Sequence, residues 1–196
     1  MEIWKTLWDS FDLDKPSDTP WETHSVDKNL EDYMQGKYDL RNAIDVGCAV
    51  GTNASWLQTR GVDTVGIDIS EKAIAVATEL DYDVEWIVGD FATSSVLDAR
   101  KFDLIYDRGC FHGYVFPESH FFVHKVSKLL SSKGEWVSII GAERGDVTPH
   151  GPPRKTAAEI VSVVEEHLEI VELTQCSIEL FNGDEAPAWR LISRRY

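Results

Sequence analysis

An aspartate-glycine turn and a second aspartate further along the chain are the residues whose types and spacing most directly indicate chemistry. The stretch Asp45-Val46-Gly47-Cys48-Ala49-Val50-Gly51-Thr52 follows a short apolar run and precedes a helical pattern. Glycine permits positive backbone angles and lets a ligand approach the main chain. Asp68 lies 21 residues after Gly47, where an acidic residue ending the next strand would bind a ribose hydroxyl pair. The spacing therefore predicts a nucleoside-containing ligand.

The glycine pattern does not fit a dinucleotide. The dinucleotide motif reads G-x-G-x-x-G, whereas here Ala49 stands between Gly47 and Gly51 and no third glycine follows. Asp45, which precedes the first glycine, suits a ligand that carries a cation better than one that carries phosphates. A nicotinamide oxidoreductase is therefore a disfavoured alternative.

The elements that must position these residues alternate between strands and helices. Strands are predicted at 43–46, 64–68, 84–88, 102–106, 135–140, 168–180 and 188–193, and helices at 52–60, 70–80, 120–130 and 156–167. This alternation is typical of a doubly wound α/β sheet, in which ligands bind at the carboxyl ends of the strands. The last two strands have only a hairpin-like turn between them. We therefore expect a Rossmann-like, seven-stranded, mostly parallel sheet with an antiparallel last strand and helices on both faces.

Length, charge and cysteine usage bound the class of protein. The chain has 196 residues and a formal net charge of -15, so we expect one acidic domain that phosphate backbones and anionic lipids repel. The three cysteines form no pattern with metal-ligand spacing, which predicts buried free thiols and no metal site. No secretory signal and no apolar stretch of membrane-spanning length is found. We expect a cytoplasmic monomer or small homo-oligomer with neither nucleic acid nor membrane as partner.

The first 38 residues differ from the rest of the chain. They are polar and aromatic, with a turn-forming cluster at 14–20. We interpret 1–38 as an N-terminal lid that orders on ligand binding, and 39–196 as the main part of a single domain.

The glycine turn resembles the first motif of class I S-adenosylmethionine-dependent methyltransferases. Residues 66–70 resemble the family's second motif, and Gly89-Asp90-Phe91 resembles the third. The resemblance implies S-adenosyl-L-methionine as cofactor and S-adenosyl-L-homocysteine as product. It implies that Asp90 accepts the adenine amino hydrogen while Phe91 and Ile69 pack on the ring. The family usually has glycine where Ala49 stands, and we expect alanine to be tolerated there if its φ is negative.

A narrower resemblance points to the thiopurine S-methyltransferase-like superfamily. Residues 102–109 look like its fourth-strand motif, His150-Gly151-Pro152-Pro153 is similar to a later element, and Trp4 and Trp8 with Thr19-Pro20-Trp21 are similar to its N-terminal segment. The resemblance implies in-line methyl transfer to a small-molecule acceptor, such as a thiol, a halide or a metalloid. A non-catalytic cofactor-binding partner or sensor protein is the alternative.

The resemblance also yields a set of candidate site residues. The candidate cofactor-binding residues are Trp8, Trp21, Asp45, Gly47, Cys48, Ala49, Gly51, Asp68, Ile69, Asp90, Phe91, Asp107 and Arg108. In the family, the arginine at position 108 touches cofactor and substrate; a structural ion pair is the alternative for it. The candidate catalytic residues are Asp107, Arg108 and His112.

His112 is the plausible base in the loop after the fourth strand, with a hydrogen-bonded structural residue as the alternative. Soft acceptors such as thiolates need no base, whereas a neutral thiol or hydroxyl does. An aromatic cover over the sulfonium is predicted from Trp8, Trp21, Phe111 and Phe116, whereas Phe121 and Phe122 fit the core better.

Overall fold

The computed structural model describes residues 22–37, 39–80, 82–143 and 154–196, together with Thr6 and Ser10. The helices from residue 22 onward are α1 (Lys28–Met34), α2 (Thr52–Thr59), α3 (Glu71–Thr78), α4 (Glu118–Leu129) and α5 (Ala157–Val164), with a 3-10 turn at Phe111–Gly113. The strands are β1 (Asn42–Val46), β2 (Asp63–Asp68), β3 (Glu85–Val88), β4 (Phe102–Arg108), β5 (Leu130–Gly141), β6 (Glu169–Glu179) and β7 (Glu185–Arg194). No helix among the described residues is long and apolar enough to cross a bilayer.

The seven strands form one sheet in the order β3-β2-β1-β4-β5-β7-β6. Strands β1 to β5 pair in parallel, and β7 is antiparallel to both β5 and β6. The predicted Rossmann-like fold with an antiparallel last strand is therefore confirmed. Because β1 lies between β2 and β4, the chain reverses its direction of progress across the sheet at β1. The carboxyl end of β1 is the place where such a sheet binds its ligand.

Helices cover both faces of the sheet because side chains alternate along each strand. On one face, Ile44 and Val46 of β1 pack with Phe122 and Val126 of α4. On the other face, residues of β1, β4 and β5 pack with α1 and α2. Strand β1 is consequently buried on both sides, which explains why it reads as a short apolar run.

Side-chain caps begin helices α3 and α5. The Ser70 side chain caps α3 by accepting a hydrogen bond of 3.1 Å from the Ala73 amide. Thr156 and Glu159 form a reciprocal capping box at the start of α5. Each cap satisfies amides that the first helical turn leaves without a partner.

Strand β5 begins at Leu130, directly after α4, where the sequence predicted a loop over 131–134. The pairing with β4 shifts its register between Phe102 and Leu104. A Cβ at Gly134 would lie 2.5 Å from the carbonyl oxygen of Phe102. The glycine that looked like a loop signal therefore allows a close approach of two strands.

Helix α1 lies within the segment that was predicted to be a lid. Asp27 caps it by accepting from the Asn29 amide at 2.6 Å, and its Leu30, Tyr33 and Met34 side chains are buried. Residues 28–34 thus pack against the sheet, and the interpretation of 1–38 as a lid stays a prediction. The lid hypothesis for residues before 22 concerns a segment that, apart from Thr6 and Ser10, lies outside the described residues.

Candidate cofactor site at the carboxyl ends of β1, β2 and β4

The glycine turn joins β1 to α2 and touches the loop after β4. The amides of Gly47 and Cys48 donate to the carbonyl oxygen of Ile67, at 2.8 and 3.1 Å. Gly47 has a φ of 70° and Gly51 a φ of 88°. A Cβ at Gly47 would lie 2.9 Å from the Cβ of Cys110. Glycine is therefore required at position 47 both by the turn and by the neighbouring loop.

Ala49 adopts a φ of 51°, in the left-handed region. The condition under which alanine was expected to be tolerated, a negative φ, is therefore not met. The Ala49 amide donates to Oδ2 of Asp68 at 2.9 Å, which holds the turn in this conformation. A left-handed non-glycine residue costs about 1–2 kcal/mol and persists where its surroundings fix it.

Replacing Ala49 with glycine is expected to raise the free energy of unfolding by about 0.5 kcal/mol. The relief of strain outweighs the greater freedom of glycine in the unfolded chain, about 0.5–1 kcal/mol. Urea unfolding measures the change. Ala75→Gly on the exposed side of α3 is the matched control and should cost about 1 kcal/mol. Equal destabilisation by both substitutions would contradict strain at Ala49.

Three buried aspartates, Asp45, Asp68 and Asp107, stand at or near the ends of β1, β2 and β4. Asp45 is 2% exposed, and its Oδ2 has no hydrogen-bond partner. Burial raises the pKa of Asp45 to about 8, and the nearby charges of Asp107 and Asp68 add to this. Burial also raises the pKa of Asp107 to about 6, against hydrogen bonds that lower it. Among the described residues no ion pair reaches these carboxylates, so this edge of the sheet favours a cationic ligand.

Asp68 links the glycine turn to the start of α3. Its Oδ2 accepts from Ala49 and its Oδ1 accepts from the Ser70 amide at 2.8 Å. Burial raises the pKa of Asp68, and these backbone hydrogen bonds oppose the shift. The residue predicted to bind ribose therefore also fixes the shape of the turn.

Asp90 and Phe91 follow β3 and meet the loop after β4. Oδ1 of Asp90 accepts from the Tyr114 hydroxyl at 2.7 Å and from the Ala92 amide at 2.9 Å. Phe91 is 2% exposed and lies 4.8 Å from Phe122, centroid to centroid. In this conformation Phe91 belongs to the core, which speaks against stacking of adenine on its face.

Asp107 anchors the loop that follows β4. It is fully buried, and its Oδ1 accepts from the amides of Cys110 and Phe111 at 3.2 and 2.9 Å. Its Oδ2 accepts from Nε1 of Trp136 at 2.9 Å. The predicted catalytic role of Asp107 is not supported by this arrangement, which gives the side chain a positioning role.

His112 is buried in the same loop. Its Nδ1 accepts from the Gly141 amide at 2.9 Å, and burial lowers its pKa to about 3. The ring is therefore neutral, with its proton on Nε2. Nε2 already carries a proton, and Nδ1 could accept one only by giving up its hydrogen bond from the Gly141 amide. The geometry supports the alternative of a hydrogen-bonded structural residue over a general base.

Arg108 forms a partly buried ion pair at the end of β4. Its Nε donates to Oδ2 of Asp27 at 2.5 Å, and its Nη2 donates to the carbonyl oxygen of Glu179 at 2.7 Å. The alternative of a structural ion pair is thus the arrangement in this structure, with Asp27 in place of Asp107. Contact of Arg108 with cofactor or substrate remains a prediction.

The aromatic and cysteine predictions have mixed outcomes. Phe111 is fully buried against Trp136 and so cannot cover a ligand, whereas Phe116 is 78% exposed. Phe122 lies in the core as predicted, but Phe121 is 58% exposed.

The three cysteines are free; Cys48 is buried, and Cys110 and Cys176 are only partly buried. Trp4, Trp8, residues 19–21 and residues 150–153 lie outside the described residues.

Sequence reasoning missed Glu22, which lies against the start of α2. Its Oε1 accepts from the Thr52 hydroxyl at 3.1 Å and from the His24 amide at 2.9 Å. Close by, the Asp27 amide donates to Oδ1 of Asn53 at 2.9 Å. The paired polar residues Thr52 and Asn53, directly after the last glycine of the turn, were the signal that another segment docks there.

Comparison with known proteins points to one class. Residues 43–134 match a family model described as a methyltransferase domain. Two uncharacterized methyltransferases of Schizosaccharomyces pombe are each 32% identical over 95 residues, or 46% of this chain and 65% of the relative. A third from the same organism is 37% identical over 75 residues, or 36% of this chain and 51% of the relative. The chain thus spans less than two thirds of the length of these curated relatives.

Solved structures resemble the chain over nearly its whole length. A protein solved in work on the conversion of a disulfide bond into a thioacetal group during echinomycin biosynthesis has a TM-score of 0.84 at 16% identity, over 99% of this chain and 92% of the other. A TehB-like SAM-dependent methyltransferase from Corynebacterium glutamicum has a TM-score of 0.65 at 20% identity, over 100% and 95%. Magnesium protoporphyrin IX methyltransferase from Synechocystis, with bound SAH, has a TM-score of 0.69 at 16% identity, over 100% and 94%.

These likenesses establish the fold. The chain has the seven-stranded, Rossmann-like α/β fold of S-adenosylmethionine-dependent methyltransferases. Its segment 43–134, which matches a methyltransferase domain, contains the glycine turn, Asp68 and Asp90.

Proposed function

We propose that this protein is an S-adenosylmethionine-dependent methyltransferase that acts on a small, soft acceptor, foremost a thiol. The observation that carries the proposal is Asp45, a buried carboxylate beside the glycine turn whose Oδ2 has no hydrogen-bond partner. A sulfonium cofactor with an ammonium group would supply positive charge at this acidic edge of the sheet. Nucleotide cofactors dominated by phosphate would add negative charge there instead.

The chain's own residues supply binding and positioning in this proposal. Asp68, the glycine turn and Asp90 would hold the nucleoside, and Asp45 would favour the cationic part of the cofactor. When bound, S-adenosylmethionine would supply an activated methyl group for in-line displacement by the acceptor, with S-adenosylhomocysteine as the leaving group. Such a reaction needs alignment and exclusion of water more than covalent help from the protein.

The choice of a soft acceptor follows from the loop after β4. Both candidate bases there are engaged: His112 through Nδ1 and Asp107 through both of its oxygens. An acceptor that is already anionic, such as a thiolate, needs no base. The thioacetal-forming system to which one structural neighbour belongs also concerns sulfur, and 102–109 resembles the fourth-strand motif of the thiopurine S-methyltransferase-like superfamily.

The net charge of -15 further favours a small acceptor over nucleic acid. A halide or a metalloid oxyanion fits the same reasoning as a thiolate, because none of these acceptors requires removal of a proton at the site. Formation of S-adenosylhomocysteine from S-adenosylmethionine should be measured with thiols, halides, metalloid oxyanions and phenols in parallel. Product with thiols above all others is expected, and product with phenols alone would contradict the soft-acceptor proposal.

The non-catalytic alternative makes a different prediction in the same assay. A sensor or partner protein would bind S-adenosylmethionine by calorimetry and yet produce no S-adenosylhomocysteine with any acceptor. Tight binding of NADH without binding of S-adenosylmethionine would overturn both hypotheses.

Replacing Asp68 with alanine is expected to weaken S-adenosylmethionine binding more than tenfold. The substitution removes a charge-assisted hydrogen bond to ribose, roughly 1.5–3 kcal/mol, and it also releases Ala49 and Ser70 from the carboxylate. Isothermal titration calorimetry measures the affinity, and thermal unfolding shows whether the variant is folded. Asp63→Ala at the exposed start of β2 is the control.

Asp68→Asn separates the two roles of Asp68, since one amide oxygen can still accept from the backbone. It should recover part of the thermal stability but little of the affinity. If Asp68→Ala binds S-adenosylmethionine as tightly as the parent, the assignment of the ribose site is wrong.

A further inference from the structure

Three histidines and a glutamate lie together on the α4–α5 side of the molecule, outside the candidate cofactor site. His120 and His124 are one turn apart on α4, and Glu166 and His167 follow the end of α5. Nδ1 of His120 lies 3.0 Å from Oε2 of Glu166. The rings of His124 and His167 are 5.2 Å apart, centroid to centroid. Half of the chain's six histidines are thus gathered at one place.

Three donor atoms of this group are close enough to share one ion. One ligand atom from each of His120, Glu166 and His167 lies within 4.8 Å of the other two. Metal–ligand distances of about 2.0–2.2 Å for imidazole nitrogen and carboxylate oxygen at Zn²⁺ place two ligands about 3.3–3.6 Å apart. Small side-chain rotations would bring the donor atoms from within 4.8 Å to this shorter separation. The side chains of His120 and Glu166 are 25% and 56% exposed, so they have room to rotate.

We propose that His120, Glu166 and His167 form a three-ligand binding site for a divalent transition-metal ion of the zinc class. Imidazole nitrogens with one carboxylate oxygen suit Zn²⁺ in tetrahedral geometry, whereas hard ions such as Mg²⁺ prefer oxygen ligands throughout. The ion would join α4 to the end of α5 across 46 residues of sequence. The site does not depend on the proposed methyltransferase function.

The sequence prediction of no metal site rested on the absence of Cys-x-x-Cys and Cys/His patterns and did not consider a cluster of histidines with a glutamate. The spacing His120-x-x-x-His124 puts two imidazoles on one face of a helix, which was the available signal. Glu166 and His167 come from a segment that only the packing of α5 on α4 brings near His120. Glu166 and His167 read in the sequence as an ordinary helix end.

Zn²⁺ titration of the full-length protein, with a chromophoric chelator as competitor, tests the site. We expect one Zn²⁺ per chain with a micromolar or tighter Kd, and at least a tenfold loss of affinity in His120→Ala and in His167→Ala. His24→Ala removes an exposed histidine elsewhere and should leave the affinity unchanged. Mg²⁺ at the same concentration should not compete.

Thermal unfolding gives a second readout that does not require activity. Zn²⁺ at about 100-fold above its Kd should raise the melting temperature of the parent by about 5 °C or more, and this shift should vanish in the His120→Ala/His167→Ala double variant. Binding of Zn²⁺ by the double variant as tightly as by the parent, or no stoichiometric binding by the folded parent, would overturn the site.

Discussion

Replacing Asp45 with asparagine is expected to stabilise the ligand-free protein above pH 8 by several kcal/mol and to weaken S-adenosylmethionine binding at least tenfold. The pKa of Asp45 is raised from 3.8 to about 8 by burial and by two neighbouring aspartates. The folded state therefore binds this proton more tightly than the unfolded state does. The free energy of unfolding consequently falls as pH rises from about 4 to about 8. Asparagine carries no charge to bury, so the variant escapes that loss.

Urea unfolding of parent and variant at pH 6 and pH 9 measures this effect. The parent should be less stable at pH 9 than at pH 6, and Asp45→Asn should show a smaller difference. The pKa of Asp107 is raised from 3.8 to about 6. In both proteins Asp107 therefore lowers the free energy of unfolding as the pH rises from about 4 to about 6. Asp63→Asn, at the exposed first residue of β2, is the control and should follow the parent.

The same carboxylate makes cofactor binding depend on pH. Below pH 8 a cationic ligand must displace the proton from Asp45, so the affinity for S-adenosylmethionine should rise between pH 6 and pH 8. S-adenosylhomocysteine has no sulfonium charge and should show a weaker dependence. Calorimetry in buffers of different ionisation enthalpy would detect the released proton. Equal affinity and equal pH dependence in Asp45→Asn would refute the cationic-ligand argument.

Replacing Gly66 with alanine is expected to lower the free energy of unfolding by about 2–3 kcal/mol. A Cβ at Gly66 would lie 2.5 Å from Cζ3 of Trp86, and a Cβ at Gly51 would lie 2.4 Å from Cη2 of the same ring. Trp86 on β3 therefore lies against both glycines. An added methyl group forces the ring to move, and overpacking of this kind costs about 1–3 kcal/mol or more.

A double-mutant cycle with Trp86→Leu tests this explanation. The smaller side chain makes room for the methyl group, so Gly66→Ala should cost at least 1 kcal/mol less in the Trp86→Leu background. Gly89→Ala is the matched control, because its Cβ would meet its nearest atom at 3.6 Å. Urea unfolding of the four proteins gives the coupling energy, and additivity within error would show that Trp86 is not the obstacle.

The Trp86 contact also revises the reason for a motif glycine. Gly66 looked like part of a cofactor-binding motif, since it stands two residues before Asp68. In the structure it lies under an aromatic ring from the neighbouring strand, as does Gly51. The glycine spacing was readable from the sequence, but the side chain that requires it was not, because the pairing of β2 with β3 brings Trp86 there.

The functional residues also divide into those that the sequence identified and those whose partners only the structure shows. Asp45 and Asp68 were identified from their places before and 21 residues after the first glycine of the turn, and Asp107 from the resemblance of residues 102–109 to a family motif. The partners of Arg108 and His112 could not be identified, because Asp27 and Gly141 lie far away in sequence. Helix α1 was missed for a related reason: seven residues give too short a pattern to distinguish a helix from polar loop.

The sequence by itself determined the order of the strands and of the helices from α2 onward, the glycine turn and the acidic character of the ligand-binding edge. These follow from interactions between residues close together in the chain, where backbone geometry and side-chain periodicity act directly. Only the tertiary structure decided that Ala49 is left-handed, that His112 and Arg108 are engaged in structural contacts, and that His120 meets Glu166 and His167. Those outcomes depend on contacts between residues that are far apart in the sequence. The packing of the helices on the sheet determines which of these residues meet.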